Sequence, residues 1–344
     1  MSEGALPAYT VRDADLARDR EAMLAVWDGN LGEPARMREK FDWFYRRCPQ
    51  GAPLVKLLEH AGQVVGVCAM GRRRMRQAGT ALQAGVMVDI AVLPGHRTLG
   101  PALMMQEALT TRAMQELDLL YAFPNPRAVP VFRRLGYRPL GSMTRHVLVL
   151  RHAGYLRARL GALPAGVAGP LVDGAMRLHR LPQAARLALE WHAQPTAGIQ
   201  RLCMADAPDG ACEGVRDAGF LDWRFHPLFA DQVRHALVRE RASGEPVGWF
   251  AVGRQANQAL VHDYRFVGGD EALRGGIAAL ADAMRAQGAA SLAVSLHTGD
   301  ARLAPWMRAG FSARSERPVL ARWRGMQDGA PAPPLHLVAA DEDE

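Results

Sequence analysis

The stretch Val88–Met104 constrains the fold most, because it predicts an apolar strand, a turn and a helix in immediate succession. Alternating and β-branched residues predict a strand over Val86–Leu93, which Pro94 ends, and small residues open a helix over Gly100–Glu116. Unpaired amides and the positive end of the helix macrodipole meet at such a helix start. Because Arg97 adds a cation beside it, the turn is predicted to bind an anion.

The composition indicates a globular protein of two domains. The chain has 344 residues, of which 49% are hydrophobic and 22% are charged, and this length allows two separate cores. No apolar stretch is long enough to span a bilayer, and residues 1–20 lack the layout of a signal peptide. We therefore expect a cytoplasmic protein. The four cysteines form no C-x-x-C pair, which predicts reduced thiols and no metal site.

The first 150 residues predict a sheet that surrounds this turn. Three strands form a meander that leads into it, and a basic turn over Arg72–Gly79 separates the last two strands. A short strand and a helix closed by Gly136 as a left-handed cap follow the turn. The predicted elements are, in order, the strand Tyr9–Asp13, the helices Asp19–Trp27 and Ala35–Arg47, the strands Leu54–Glu59, Gln63–Met70 and Ala81–Leu93, the helix Pro101–Glu116, the strand Leu119–Phe123, the helix Ala128–Leu135, and the strands Tyr137–Leu140 and Met143–Leu150.

Two motifs at this spacing resemble those of the GNAT acetyltransferases. The first is Arg97-x-x-Gly100-x-Ala102 after the strand, and the second is F-P-N-P-R-A-V-P-V-F-R-R-L-G-Y over Phe123–Tyr137. With the order of the elements, they make residues 9–150 similar to a GNAT domain. The resemblance implies an α/β fold (α+β mixed sheet), in which a largely antiparallel mixed sheet is flanked by helices, and acetyl-coenzyme A as the acyl donor.

The resemblance also implies where the donor binds. In GNAT domains the turn cradles the pyrophosphate, backbone amides of the preceding strand hold the pantetheine arm and the thioester carbonyl, and an Asn after the next strand organises the splayed strands or touches the donor. The corresponding residues here are Ile90, Ala91, Val92, Arg97, Thr98, Leu99, Gly100, Ala102 and Asn125. Thr98 replaces a common Gly, and Pro101 removes one backbone donor. Asn125 also suits a simple turn between two prolines.

Asp89 is the candidate catalytic residue, because it is the carboxylate nearest to the place that the resemblance gives to the acceptor amine. As a general base it accepts the amine proton directly or through water; the alternative role is a structural carboxylate at a strand bulge. Phe132 stands where many GNAT members carry a tyrosine acid, so that acid is absent or is replaced by Tyr121 or Tyr137. The aromatic cluster Phe41–Tyr45 is predicted to be core or the wall of an acceptor pocket.

The second half of the chain repeats three features of the first half in the same order, which favours a duplicated fold. The matching segments are Phe41–Trp43 with Leu221–Trp223, Val65–Gly71 with Val247–Gly253, and Phe132–Tyr137 with Trp306–Phe311. If Asp263 corresponds to Asp89, the place of Arg97 falls near Glu271. Acidic groups then replace the cation, and anion binding is disfavoured in the second copy.

Four segments follow from these features. They are a GNAT acetyltransferase domain over residues 1–150, a helical linker over 151–195, a degenerate GNAT-like domain over 196–325 and a mobile acidic tail over 326–344. The second domain is predicted to have lost the donor and to shape the acceptor cleft or to stabilise the pair of domains.

The function favoured by these features is an acetyl-CoA-dependent N-acyltransferase, in which the amine of a small-molecule acceptor attacks the thioester directly. The net charge of +7 suits an anionic ligand. The basic residues are dispersed and form no recognition helix or aromatic platform, so binding of nucleic acid is not favoured. Two alternatives stay open, a Fem-type transferase with an aminoacyl-tRNA donor and a non-catalytic binding or scaffold protein. Binding of coenzyme A discriminates the acetyl-CoA-dependent transferase from both alternatives.

Overall fold

The computed structural model describes residues 8–153, 171, 173–174, 184–205, 210–226, 233–326 and 330–342. Within these ranges the chain divides into two compact units, one of residues 8–141 and 317–332 and the other of residues 142–316 and 333–342. The predicted boundaries at residues 150 and 196 therefore both fall inside the second unit. Most of the predicted linker, 151–195, lies outside the described residues. No helix within the described ranges is long and apolar enough to cross a membrane.

The first unit is built on a sheet with the strand order β1-β2-β3-β4-β5-β13. Its strands are β1 (Tyr9–Asp13), β2 (Leu54–His60), β3 (Gln63–Gln77), β4 (Thr80–Val92), β5 (Leu119–Ala122) and the later residues of β13 (Ser312–Trp323). All neighbouring strands are antiparallel except β4 and β5, which run parallel. The predicted mixed and largely antiparallel sheet is confirmed.

Helices flank this sheet at the places that the sequence predicts, with shifted ends. They are α1 (Arg20–Trp27), α2 (Pro34–Lys40), a π-helical segment (Phe41–Arg46), α3 (Leu99–Met114) and α4 (Val129–Arg134). Pro34 begins α2, because the amide that proline lacks needs no partner in a first turn. Met105 and Leu109 of α3 are fully buried in the core of this unit, and Gly136, at a φ of 80°, closes α4 as predicted.

The β3–β4 hairpin is longer than the sequence predicts. A basic turn over Arg72–Gly79 is expected, but strand pairing continues to Gln77 and confines the turn to the next two residues. Arginines can lie on this strand because their stems pack against apolar surface and their charges lie over rings. Arg73 is only 2% exposed, and its guanidinium lies 5.3 Å from the ring centre of Phe44.

The second unit has a similar order of elements, with one extra strand between its first two helices and another at its end. They are β6 (Arg138–Val149, from Ser142 onward), β7 (Leu187–His192), α5 (Ala197–Met204), β8 (Cys212–Gly214), α6 (Ala218–Arg224), β9 (Arg234–Glu240), β10 (Pro246–Gln255), β11 (Gln258–Phe266), α7 (Gly269–Ala286), β12 (Ser291–His297), α8 (Asp300–Arg308) and β14 (Leu335–Val338). Strands β9, β10 and β11 are antiparallel and β11 is parallel to β12. This arrangement repeats that of β2 to β5.

Each half of the sequence contributes a strand to the unit that the other half forms. The sequence predicts two strands, Tyr137–Leu140 and Met143–Leu150, that finish the first sheet. The structure has one strand instead, β6, which pairs antiparallel with β12 in the second unit. In return, β13 pairs antiparallel with β5 in the first unit, with Leu320 opposite Ala122. The pairing partners lie more than a hundred residues apart, and no local pattern reports them.

The prediction of a mobile tail over 326–344 is wrong for its described residues. Leu335–Val338 form β14, which pairs with β12 and β8, and a short 3-10 turn over Ala339–Asp341 follows it. Leu337 and Ala340 are fully buried, and Asp341 is 2% exposed. Prolines and acidic residues predict disorder here, but they flank a short apolar run that finds buried partners.

Candidate active site

Strands β4 and β5 diverge in the first unit. They pair only from Ala84 to Val86, although β4 continues to Val92. On its other edge β4 stays paired with β3 up to its end. Among the described residues, no other strand pairs with the edge of β4 that β5 leaves. The divergence therefore leaves an opening beside β4 from Val86 onward, where this edge of β4 has no strand partner among the described residues.

Asp89 lies on a bulge within this part of β4. The register between β3 and β4 shifts between Val67 and Ala69, opposite Asp89. The φ of Asp89 is 51°, a left-handed conformation that few residues other than glycine adopt and that Asp tolerates better than most. Such strain concentrates at functional sites. Because β4 runs from Thr80 to Val92, Asp89 stands near its end.

Lys40 and Tyr45 bind the two oxygens of the Asp89 carboxylate. Lys40 Nζ donates to Oδ1 at 2.7 Å, and the Tyr45 hydroxyl donates to Oδ2 at 2.7 Å. The Asp89 side chain is 5% exposed and that of Lys40 is 14% exposed. Lys40 and Tyr45 thus both hold the carboxylate at the bulge, where it is largely shielded from water.

The π-helical segment positions Tyr45. It directly follows α2, and such widened turns are frequent at functional sites. The Tyr45 ring stacks on Phe41 with a centroid distance of 5.3 Å and also contacts Trp27 at 5.3 Å. All three rings are fully buried. The aromatic cluster that the sequence assigns to core or to a pocket wall therefore packs as core and directs one hydroxyl at Asp89.

The start of α3 offers two backbone amides. The helix begins at Leu99, with Thr98 as its N-cap, whereas the sequence predicts a start at Gly100 or Pro101. The Thr98 amide donates to His96 O at 2.8 Å, and Pro101 has no amide. Since the first four amides of a helix lack an intrahelical acceptor, Leu99 and Gly100 remain as donors.

Gly100 and Ala102 both lie in the first turn of α3. Ala102 stands at the fourth helical position, three residues after Leu99, and its predicted contact with the donor stays a prediction. A Cβ placed on Gly100 would meet no atom within 4 Å. This open space fits the close approach of a pyrophosphate to the Gly100 amide.

Arg97 is tied to the end of β4. Its Nε donates to Val92 O at 3.0 Å, and its Nη2 donates to Asn30 Oδ1 in the loop after α1. Asn30 in turn donates to Val26 O. The guanidinium is exposed on the surface beside the start of α3, so its charge is fixed where the sequence predicts an anion site.

The amides predicted to hold the pantetheine arm do not all face the same edge of β4. Leu93 N donates to Val65 O of β3. Because successive amides along a regular strand point to opposite edges, that of Val92 faces the edge that β5 leaves and that of Ala91 faces β3. Ile90 lies in the bulge, where this alternation is interrupted. The donor contacts of Ile90, Ala91 and Val92 stay predictions.

The remaining predicted residues lie around α4. Asn125 Oδ1 accepts from the Ala128 amide at 3.0 Å, so Asn125 forms the turn that begins α4. Phe132 is buried and packs edge-on against Tyr137, with ring centres 5.1 Å apart. Burial raises the pKa of the Tyr137 phenol above its ordinary value. Tyr121 is fully buried in β5.

The sequence analysis misses Lys40 and Tyr45. They lie 49 and 44 residues from Asp89, and no local pattern reports the contact. Two signals were present. Lys40 is one of only two lysines in a chain whose other basic side chains are nearly all arginine, and Tyr45 ends a run of aromatic residues.

Comparison with protein families identifies the first half of the chain. The family model described as acetyltransferase (GNAT) domain matches residues 12–140. Residues 12–140 are a GNAT domain. The match covers the diverging strands, the Asp89 bulge and the start of α3. The match supports an N-acyltransferase in general. A search of curated proteins found no match.

Solved structures share the fold over nearly the whole chain. A probable N-acyltransferase from Enterococcus faecalis has a TM-score of 0.66 at 12% identity and covers 93% of this chain and 73% of its own. A GCN5-related N-acetyltransferase from Kribbella flavida has a TM-score of 0.64 at 14% identity, with 94% and 72% covered. A tandem GNAT protein from the clavulanic acid biosynthesis pathway has a TM-score of 0.52 at 13% identity, with 93% and 100% covered. Identities this low show the fold alone.

The second unit differs from the GNAT domain at the corresponding places. β10 and β11 also shift register, between Ala251 and Val252. Asp263 lies near this shift, but Arg216 Nε donates to its carboxylate at 2.5 Å. Asp270 and Glu271 occupy the first turn of α7. The second helix start thus carries acidic side chains where the first carries Arg97.

Proposed function

We propose that residues 12–140 transfer an acyl group from acetyl-coenzyme A to the amine of a small-molecule acceptor. The observation that carries this proposal is the opening between β4 and β5, with a nearly buried carboxylate on the bulge beside it. The donor supplies the acyl group as a thioester. In this proposal the amides of Ile90 and Val92 on β4 hold the pantetheine arm, and those of Leu99 and Gly100, which begin α3 next to Arg97, hold the pyrophosphate. This array suits an extended molecule with a pyrophosphate at one end.

Asp89 acts on the acceptor amine in the proposed reaction. The amine nitrogen attacks the thioester carbonyl, a C–N bond forms, the C–S bond breaks and the amine loses a proton. Each Asp89 oxygen already accepts one hydrogen bond, from Lys40 or from Tyr45. In this proposal the Asp89 carboxylate binds the amine and receives its proton, directly or through water.

Lys40 and Tyr45 are positioning residues in this proposal. Lys40 favours the ionised form of Asp89, because an opposite charge within 4–6 Å stabilises a carboxylate. Tyr45 fixes the second oxygen from a ring that is itself packed on Phe41. Together they hold the carboxylate in one orientation at a strained backbone position.

The thiolate leaves without a tyrosine from α4. Phe132 has no hydroxyl, and Tyr137 is buried among apolar side chains with its pKa raised by that burial. We propose that solvent protonates the departing thiolate, whose ordinary pKa is low enough for it to leave as an anion near pH 8.

Calorimetric titration of the full chain with acetyl-coenzyme A tests the proposal. We expect saturable binding to the wild type and an affinity lower by about tenfold or more in Arg97→Glu, because charge-assisted hydrogen bonds to phosphate are lost. Arg18→Glu is the matched control, because this substitution makes the same charge change on the same unit, away from α3. The Arg18 side chain is 72% exposed. Its affinity should equal that of the wild type.

The titration also separates the alternative functions. Lack of binding to the wild type would contradict the proposal. Binding of an aminoacyl-tRNA by the same protein would then favour the Fem-type transferase, and binding of neither donor would favour a scaffold. With binding established, turnover with a panel of small amines identifies the acceptor, and Asp89→Asn should abolish most of it without abolishing donor binding.

A further inference from the structure

The second unit has its own diverging pair of parallel strands, β11 and β12. They pair from Gln258 to Val261 on β11, although β11 continues to Phe266 and β12 to His297. This is the arrangement of β4 and β5 in the first unit. The opening between β11 and β12 is therefore the counterpart of the proposed donor cleft.

The C-terminal strand β14 lies in that opening. Leu296 of β12 pairs with Thr144 of β6 on one edge and with Val338 of β14 on the other. β11 pairs with the same edge of β12 as β14 does, but only as far as Val294. β14 therefore continues along β12 from the point at which β11 departs.

An ionic bridge ties the end of this segment to β11. Asp341 Oδ1 lies 2.8 Å from Arg216 Nη2, and Arg216 Nε donates to Asp263 on β11 at 2.5 Å. The other oxygen of Asp341 accepts from the Val338 amide at 2.9 Å. The side chains of this bridge are at most 10% exposed. Burial leaves such a bridge little screened by water, so the charges define one position for the chain end.

Strand β8 lies next to β14 and contacts β11 through a side chain. It pairs in parallel with β14, with Leu335 opposite Cys212. Glu213 of β8 accepts from Arg265 of β11 at 2.6 Å and from Arg302 of α8 at 3.1 Å. Both sides of the opening are thus joined to polypeptide of the same unit.

We propose that the cleft between β11 and β12 is a peptide-binding site whose occupant is the segment Leu335–Asp341 of this chain. The segment takes the place that an acyl donor would need, by adding a strand to the edge of β12. The apolar side chains Leu337 and Val338 and the carboxylate of Asp341 define the recognised peptide. The chain then has one donor site, in the first unit.

Cross-linking in the full chain tests the position of the segment. Leu296→Cys with Val338→Cys joins directly opposed residues, whose Cα atoms are about 4.5–5.5 Å apart in an antiparallel pair. Mild oxidation should give the 296–338 disulfide, identified by mass spectrometry. Leu296→Cys with Leu337→Cys is the matched control, because neighbouring residues of a strand face opposite sides of the sheet. Lack of the 296–338 link, or equal linking in the control, would overturn the proposal.

Hydrogen exchange tests what holds the segment. In the wild type we expect amides of Leu335–Asp341 to exchange as slowly as those of β12. Asp341→Asn removes the charge of the bridge, and we expect exchange of the segment to become about tenfold faster or more. Asp270→Asn makes the same change at an exposed acid of the same unit and should leave the segment protected. Fast exchange of the segment in the wild type would overturn the proposal.

Donor stoichiometry is the third test, and it rests on the proposed function. Titration of the full chain with acetyl-coenzyme A should give one equivalent bound. Two equivalents, with one unaffected by Arg97→Glu, would overturn the proposed occupation of the second cleft. Failure of all donor binding would contradict the function of the first unit, whereas the cross-link and the exchange rates would still decide the place of the segment.

Discussion

Asp89 Oδ1 accepts a hydrogen bond from Lys40 Nζ at 2.7 Å, and this contact joins residues 49 positions apart in the sequence. Lys40 ends α2 and Asp89 stands on the bulge of β4. The ion pair therefore fixes the distance between the first helical layer and the strand that lines the proposed donor cleft. Its partial burial makes it sensitive to the loss of either partner.

Lys40→Met should destabilise the first unit and impair turnover. Removal of one partner from a buried ion pair leaves an uncompensated charge, at a cost of about 3 kcal/mol in the free energy of unfolding. Denaturant unfolding measures this loss. Lys56→Met is the control, because the only other lysine pairs with Asp13, whose side chain is 70% exposed. Equal losses in the two variants would contradict the special role of the Lys40–Asp89 pair.

A double-mutant cycle separates that pair from packing at the same place. Lys40→Met combined with Asp89→Asn removes both charges, so the combined loss of stability should be smaller than the sum of the two single losses. Additive losses would mean that the two side chains do not interact across the 2.7 Å contact.

Tyr45→Phe should lower turnover while keeping the aromatic packing. The variant loses only the hydroxyl that donates to Asp89 Oδ2, and a hydrogen bond to a charged group contributes about 1.5–3 kcal/mol. We expect kcat/KM to fall about tenfold and the affinity for acetyl-coenzyme A to stay unchanged, because the proposed donor contacts lie elsewhere on β4. Wild-type kcat/KM in this variant would show that Tyr45 does not position Asp89.

The local elements were predictable from sequence because short-range patterns dictate them. Alternation of apolar residues marks β2 and β4, and Gly136 closes α4 at a φ of 80°. The π-helical segment was not predictable, since its residues have the periodicity of an ordinary helix. The extension of β3 past Met70 was also not predicted, because burial of Arg73 depends on the ring of Phe44.

Long-range pairing accounts for the other features that were not predicted from the sequence. The exchange of β6 and β13 depends on partners in the opposite half of the chain. Burial of Leu335–Val338 depends on pairing with the part of β12 that β11 leaves, and the sequence does not reveal this partner. Likewise the predicted site residues on β4 and at the start of α3 follow from a motif, whereas Lys40 and Tyr45 are brought in by tertiary packing.

The second unit should lose stability as the pH falls. Burial lowers the pKa of His235 to about 4, from an ordinary value near 6.5. Between these values the unfolded chain binds the proton and the folded chain does not, so stability is full above about pH 6.5 and falls toward about pH 4. The shift corresponds to about 3 kcal/mol.

His235→Gln checks this assignment. Trp249 Nε1 donates to His235 Nδ1 at 3.1 Å, and glutamine keeps an acceptor for that indole while removing the titration. We expect a shallower loss of the free energy of unfolding between pH 6.5 and pH 4 than in the wild type. His226→Gln, at an exposed histidine of the same unit, should retain the wild-type slope. Parallel curves for all three proteins would contradict the prediction.

Gly100→Ala should separate stability from donor binding. A Cβ at Gly100 meets no atom within 4 Å, and alanine favours a helix more than glycine does, so thermal unfolding should occur at the same temperature or higher. The added methyl stands beside the amide that we propose for the pyrophosphate, so the affinity for acetyl-coenzyme A should fall about tenfold through lost contact with a charged ligand.

Gly299→Ala is the control, because Gly299 is the N-cap of α8 and its surroundings are equally open. Its donor affinity should equal that of the wild type. Undiminished affinity in Gly100→Ala would mean that the donor does not approach this helix start.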